Sequence, residues 1–137
     1  ERSVAVGGRL GGHFVLGHVD AVAEITKIER EGQFRKVTFS LPDTLHPFVA
    51  PKGSIAIDGV SLTVVDVRGD AFSIGVIPHT LEQTTLETIR VGAQVNLEAD
   101  VIARYVHRLL QVGRVDTALP AQPTGLTEDF LREMGFA

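Results

Sequence analysis

Between Phe14 and Glu98 the chain sustains no long helical period; its apolar residues recur at every second position, in short runs cut off by turn signals. That pattern restricts the fold to a small β barrel or sandwich. The clearest run is Val60–Val67, where Val60, Leu62 and Val64 share one face and Ser61, Thr63 and Val65 the other. Asp58-Gly59 before it favours a tight hairpin with Ser54–Asp58. Arg68-Gly69-Asp70 after it turns the chain into Ala71–Ile77, with Phe72, Ile74 and Val76 on one face. Phe34–Leu41 reads as a half-buried strand with Val37, Phe39 and Leu41 inward, and Gln94–Glu98 closes the series. In Ala21–Arg30 the alternation is imperfect, with Ile25 and Ile28 out of step, which predicts a bulge or a bend.

Two stretches depart from this period. Thr80-x-x-Gln83 fits a capping box and predicts a helical turn over Leu81–Leu86. Asp100 is placed to cap a helix whose apolar positions Val101, Ile102, Tyr105, Val106, Leu109 and Leu110 follow the 3.6-residue repeat, with Gly113 ending it. That stripe either covers the barrel end or joins a subunit interface. Leu119–Pro123 then reads as a linker, and Thr127–Met134 as a second short helix.

A chain of 137 residues can close one core but not two substantial ones. Its 17 Asp and Glu against 13 scattered Lys and Arg argue against a nucleic-acid partner. Without cysteine it has no disulfide framework, thiolate nucleophile or Cys-ligated metal. No apolar run nears the roughly 20 residues that span a bilayer, and ERSVAVGG lacks a signal-peptide pattern. The expectation is a soluble, cytoplasmic protein. A start at Glu1 without Met suggests a fragment or a processed form.

Motifs for chemistry are sparse. His13 and His18, five apart, point to opposite faces of a regular strand and cannot chelate one metal, so no metal site is expected. Gly7-Gly8 and Gly11-Gly12 lack the spacing of a phosphate loop and lead into a β run; they serve positive φ values or a close backbone crossing. Ser61 and Thr63 share a strand face that either binds a polyhydroxylated ligand or faces solvent, and no G-x-S-x-G elbow marks Ser61 as a nucleophile. Lys52 and Asp58 flank one strand and could pair, act on a ligand, or be ordinary surface residues. The residues alone reach a small all-β domain with a terminal helix.

Five segments in order, GGHFVLGHVD (Gly11–Asp20), KGSIAIDGVSLTV (Lys52–Val64), GVIPHTLEQTTL (Gly75–Leu86), VNLEADVIARYVHRLL and LTEDFLREMGF, make the chain resemble the carboxy-terminal half of riboflavin synthase. The resemblance implies a six-stranded antiparallel Greek-key barrel with a C-terminal amphipathic helix. It divides the chain into an inter-barrel junction at 1–12, a lumazine-binding barrel at 13–98, the helix at 99–113, and a linker with a short helix at 114–137. The family's amino-terminal motif M-F-T-G-I has no counterpart here, which implies that a first barrel is missing.

The implied reaction is the dismutation of two 6,7-dimethyl-8-ribityllumazine molecules into riboflavin and 5-amino-6-ribitylamino-pyrimidinedione, with no metal or organic cofactor. The substrate supplies its own electron sink once a proton leaves its C7 methyl, so the protein orients two rings and moves protons. By the resemblance, His18 is the proton-transfer candidate. Lys52 and Asp58 contact the ligand or stabilise charge, and Ser61, Leu62 and Thr63 bind the pterin and ribityl edge. Gly17 and Val19 border the ring, and Gly75, Val76, Ile77, Pro78, His79 and Thr80 form the opposite wall. His13 is given a structural part, and Leu16 stands where relatives often carry a polar residue. Expected partners are the first barrel of a neighbouring subunit in a homotrimer. The alternative is a non-catalytic lumazine- or flavin-binding module.

Overall fold

A computed structural model describes residues 7, 8, 10–113 and 132. The expected linker and the helix over Thr127–Met134 lie outside the described residues, apart from Arg132, as does much of the expected junction. Six antiparallel strands, β1 (Ala21–Glu31), β2 (Phe34–Ser40), β3 (Ser54–Ile57), β4 (Val60–Arg68), β5 (Ala71–Val76) and β6 (Gln94–Ala99), close into a barrel in the order β1-β2-β5-β4-β3-β6. The hairpin-linked trio β3-β4-β5 is flanked by β2 beside β5 and β6 beside β3. Each flanking strand is reached by a longer connection, giving the Greek-key arrangement.

The turn chemistry acts as its residues dictate. Ile57 pairs with Val60, leaving Asp58 and Gly59 as a two-residue loop with φ values of 46° and 80°. Both are positive, as the twist-matched hairpin turn requires, and Asp and Gly tolerate that region best. The out-of-step isoleucines mark a real bulge: the β1–β2 register shifts between Ile25 and Lys27. A second shift, between Val64 and Asp66, sits where β4 crosses to β5.

Inward residues of all six strands form one core in which the Phe39 and Phe72 rings stack at 5.2 Å. Both connections contribute to it. A 3-10 helix, Asp43–Phe48, adds Leu45 to the core, and no local period announced it. After β5, helix α1 (Pro78–Gln83) and a 3-10 turn (Thr85–Glu87) add Leu81 and Leu86.

The helical turn therefore begins three residues before its expected start. Ile77 occupies the N-cap without a side-chain bond, and Pro78, with its fixed φ and missing N–H, opens the helix. Thr80 does not cap; its carbonyl accepts from the Thr84 hydroxyl at 2.6 Å. Thr84 is the capping residue, accepting the Leu86 N–H and starting the 3-10 turn.

Helix α2 (Val101–Val112) starts as expected, with Asp100 Oδ1 accepting the Ile102 N–H at 2.9 Å. No α2 residue is buried: Tyr105 is 69% and Leu109 70% exposed. Ile102, Tyr105 and Val106 of its apolar stripe are thus no part of the barrel core.

Candidate functional site

Alternation along β4 turns Val60, Leu62 and Val64 inward and leaves Ser61, Thr63 and Val65 on the outer surface. On β5 the outward position nearest them is Gly75; a Cβ built there would lie 3.7 Å from Val65 Cγ2 and meet nothing closer. Lys36 of β2 pairs with Gly75 from the other side. Lys52 continues the β3–β4 ladder, its N–H donating to Val64 O at 2.7 Å with φ at 65°, which fixes it beside the outer edge of β4. Ser61, Thr63 and Gly75 therefore share one outer face, with the main chain of Lys52 at its edge. Exposed Ile77, Pro78 and His79 and partly buried Thr80 carry the chain onward from β5.

Leu62 and Val76 belong to the core, 9% and 0% exposed, so a ligand on the outer face would meet only their main chain. Lys52 and Asp58 stand at opposite ends of β3, about 20 Å apart at the usual strand rise, and do not pair.

The segment Gly12–Asp20 runs across the outside of the barrel as a strap. Ser61 of β4, Ala56 of β3 and Glu98 of β6 lie side by side in register, Ala56 pairing with both neighbours. At one end of this row His13 Nδ1 lies 2.8 Å from Ser61 Oγ, and the His13 N–H donates to the same oxygen at 3.4 Å. At the other end the Leu16 and Gly17 N–H groups donate to Glu98 Oε1 and Oε2 at 2.6 and 3.0 Å. Beyond it the Asp20 N–H donates to Leu97 O at 2.8 Å, and Asp20 Oδ2 accepts the Ala99 N–H at 2.8 Å. Asp20 Oδ1 also pairs with Arg104, whose guanidinium lies 4.8 Å over the Phe48 ring.

This path accounts for two small residues. A Cβ on Gly12 would come within 2.3 Å of Ser61 Oγ, so Gly12 is where backbone crosses β4 closely. Ala56 points outward yet is 1% exposed, because it lies under the strap. Of the two parts expected of the glycines, Gly12 takes the close crossing and Gly7, at φ 79°, the positive φ.

Gly17, at φ 78°, and Val19 line a cleft of about 430 Å³ with Ala56, Asp58, Asn96 and Glu98. Asp58 is engaged there, with Oδ1 accepting the Asn96 N–H at 2.8 Å. Exposed His18 borders a small cavity of about 40 Å³ with Leu16, Asp20, Glu98 and Arg104. The expected site residues thus fall into two groups joined by the strap: Ser61, Thr63 and Gly75 on one side, with the Lys52 main chain at their edge, and Gly17, His18, Val19 and Asp58 on the other.

In the sequence His13 reads as structural and Glu98 carries no signal. His13 earned no other role because its partner, Ser61, is 48 residues away. Glu98 ends the expected strand Gln94–Glu98, and nothing local marks it as buried. Among the described residues, metal-ligating side chains gather at Asp43, His46 and Asp70, and neither His13 nor His18 joins them.

A family model described as a lumazine binding domain matches residues 16–100. Riboflavin synthases from Photobacterium phosphoreum and Bacillus subtilis (strain 168) are 38% and 40% identical over 136 residues, covering 99% of this chain and 61% of each relative. That of Brucella abortus (strain 2308) is 47% identical over 111 residues, 81% of this chain and 55% of the relative. The chain thus spans between 55% and 61% of the length of these curated relatives. Among solved structures, LumP complexed with riboflavin matches with a TM-score of 0.62 and 28% identity, over 67% of this chain and 50% of that one. LumP complexed with 6,7-dimethyl-8-(1'-D-ribityl) lumazine matches with a TM-score of 0.56 and 26% identity, over 61% and 46%.

Proposed function

We propose that this chain, which belongs to the lumazine binding domain family, is the second substrate-binding barrel of a riboflavin synthase. The observation that carries the reading is the outer face on which the Ser61 hydroxyl meets His13 Nδ1 at 2.8 Å beside side-chain-free Gly75. A flat ring can lie against the backbone at Gly75. Thr63 and Ser61 supply hydroxyls to its polar edge, and the stretch Ile77–Thr80 walls it. The synthases that resemble nearly the whole chain support the same reading.

Two 6,7-dimethyl-8-ribityllumazine molecules exchange a four-carbon unit, so one gains what the other loses and the products are riboflavin and 5-amino-6-ribitylamino-pyrimidinedione. Loss of a C7-methyl proton leaves an anion delocalised over the ring. His18, which stands in the other group across the strap, is the proton-transfer residue by the family resemblance, an imidazole being able both to accept and to give a proton. The Ser61–His13 pair offers a second relay, and the Lys52 ammonium stabilises the developing negative charge. Asp58 holds the β3–β4 turn at the edge of the cleft that Gly17 and Val19 line. The second ring is held by the first barrel of a neighbouring subunit in a homotrimer, with the exposed stripe of α2 as an assembly surface. The setting is cytoplasmic; among the described residues no helix is long and apolar enough to cross a membrane.

The test mixes the chain with the separately produced amino-terminal barrel of a riboflavin synthase and follows riboflavin fluorescence. Turnover should require both barrels, and vigorous turnover by this chain alone would sink the division of labour. The second reading, a non-catalytic lumazine- or flavin-binding module, draws on the likeness to ligand-bound LumP structures. Ribityllumazine binding without turnover when the first barrel is supplied would favour it.

A further inference from the structure

We infer that the buried Glu98 carboxylate is a positioning residue that seats the strap Gly12–Asp20 and thereby sets the place of His18. The inference rests on the proposed proton-transfer part of His18. Glu98 is 6% exposed, and each of its oxygens accepts one consecutive main-chain N–H, Leu16 on Oε1 and Gly17 on Oε2. A carboxylate is the side chain that offers two acceptors and no donor, so it matches two neighbouring N–H groups pointing the same way. Glutamine in its place would turn an NH2 toward one of those N–H groups.

His18 and Val19 are the residues between this tether and the next. On their far side Asp20 is fixed to β6 through Leu97 O and the Ala99 N–H, and to α2 through Arg104. A two-residue span held at both ends has little backbone freedom, and Gly17 at φ 78° supplies the bend that lets His18 stand out from the barrel. Ala56 completes the seat: it lies in register between Ser61 and Glu98, and its one-carbon side chain lets the strap lie close. The Glu98 tether costs a buried charge, which a strap with only a covering role would not need; a neutral side chain would cover β3 as well.

The experiment measures turnover of 6,7-dimethyl-8-ribityllumazine by the chain with the amino-terminal barrel supplied, together with amide hydrogen exchange, for Glu98→Gln, His18→Ala and the double variant. Glu98→Gln should speed exchange at Leu16 and Gly17 by about 100-fold through local opening. It should lower kcat about tenfold, as small misplacements of a catalytic group do, while KM stays within about twofold. In the His18→Ala background the same change should lower kcat by less than about twofold, because a group that acts through His18 has nothing left to position. An equal loss in both backgrounds, or unaltered exchange at Leu16 and Gly17, would overturn the inference. Absence of turnover by the unsubstituted pair of barrels would instead overturn the proposed function. Should Glu98→Gln not fold, Ala56→Val raises the strap by bulk alone and should give the same pattern: faster exchange, lower kcat, and non-additivity with His18→Ala.

Discussion

His13 and Ser61, 48 residues apart in sequence, meet with Nδ1 and Oγ at 2.8 Å on the outside of the barrel. The contact places a titratable ring against the hydroxyl-bearing face of β4, and the same hydroxyl accepts the His13 N–H. If the pair works as one relay, His13→Ala and Ser61→Ala should each lower kcat by about 100-fold. The double variant should be little worse than either single one, as for groups that act as a unit. Steady-state kinetics with the amino-terminal barrel supplied decide it, and independent, multiplying losses would separate the two residues.

Gly75 separates ligand binding from folding. A Cβ there meets Val65 at ordinary contact distance, so Gly75→Ala should leave the thermal midpoint near or slightly above that of the parent. The same side chain would occupy the space assigned to the ring. Ribityllumazine affinity, read from ligand fluorescence, should weaken at least about tenfold, roughly 1.4 kcal/mol. Unchanged affinity would move the ring elsewhere.

Asp58 does two structural jobs in the β3–β4 turn. It occupies φ 46°, and its Oδ1 accepts the Asn96 N–H. Asp58→Ala loses both the tolerance and the bond and should cost about 1–2 kcal/mol in urea unfolding. Asp58→Asn keeps an acceptor and the left-handed preference, and should cost less than about 0.5 kcal/mol. Equal losses would show that the turn is held by other contacts.

Glu29 titrates below the usual carboxylate range, chiefly because Lys27 hydrogen-bonds it, with Lys27 and Lys36 charges adding to the effect. A carboxyl whose folded pKa is depressed contributes stability above its unfolded pKa and loses it as pH falls through the folded one. Lys27→Gln should therefore raise the Glu29 pKa in a carbon-detected NMR titration and leave a smaller fall in stability between neutral and acidic pH. A Glu29 titration curve unmoved by the substitution would show that Lys27 is not the cause.

The strands were legible because each is half-buried and twisted into a ladder whose side chains alternate. Val60, Leu62 and Val64 could only face a core, and Asp58-Gly59 and Arg68-Gly69-Asp70 could only turn. The bulge near Ile25 was legible for the same reason, since a break in period two is visible locally. The start of α1 was misjudged because Pro78 and Thr80 are both good helix openers, and the choice fell to where β5 delivers the chain. The core contribution of Leu45 was hidden in a segment with no period at all.

Sequence by itself determined which residues face inward, where the chain reverses, and that Ser61 and Thr63 share an outer face, because those follow from near-neighbour geometry. It did not determine what lies on that face. Alternation makes Ser61, Ala56 and Glu98 equivalent outward positions on three different strands. Only closure of the barrel sets them in one row, and only the strap covers them, burying Ala56 and Glu98 and partly covering Ser61. Burial of an outward residue depends on what crosses above it, and that is a contact between segments as much as 82 residues apart.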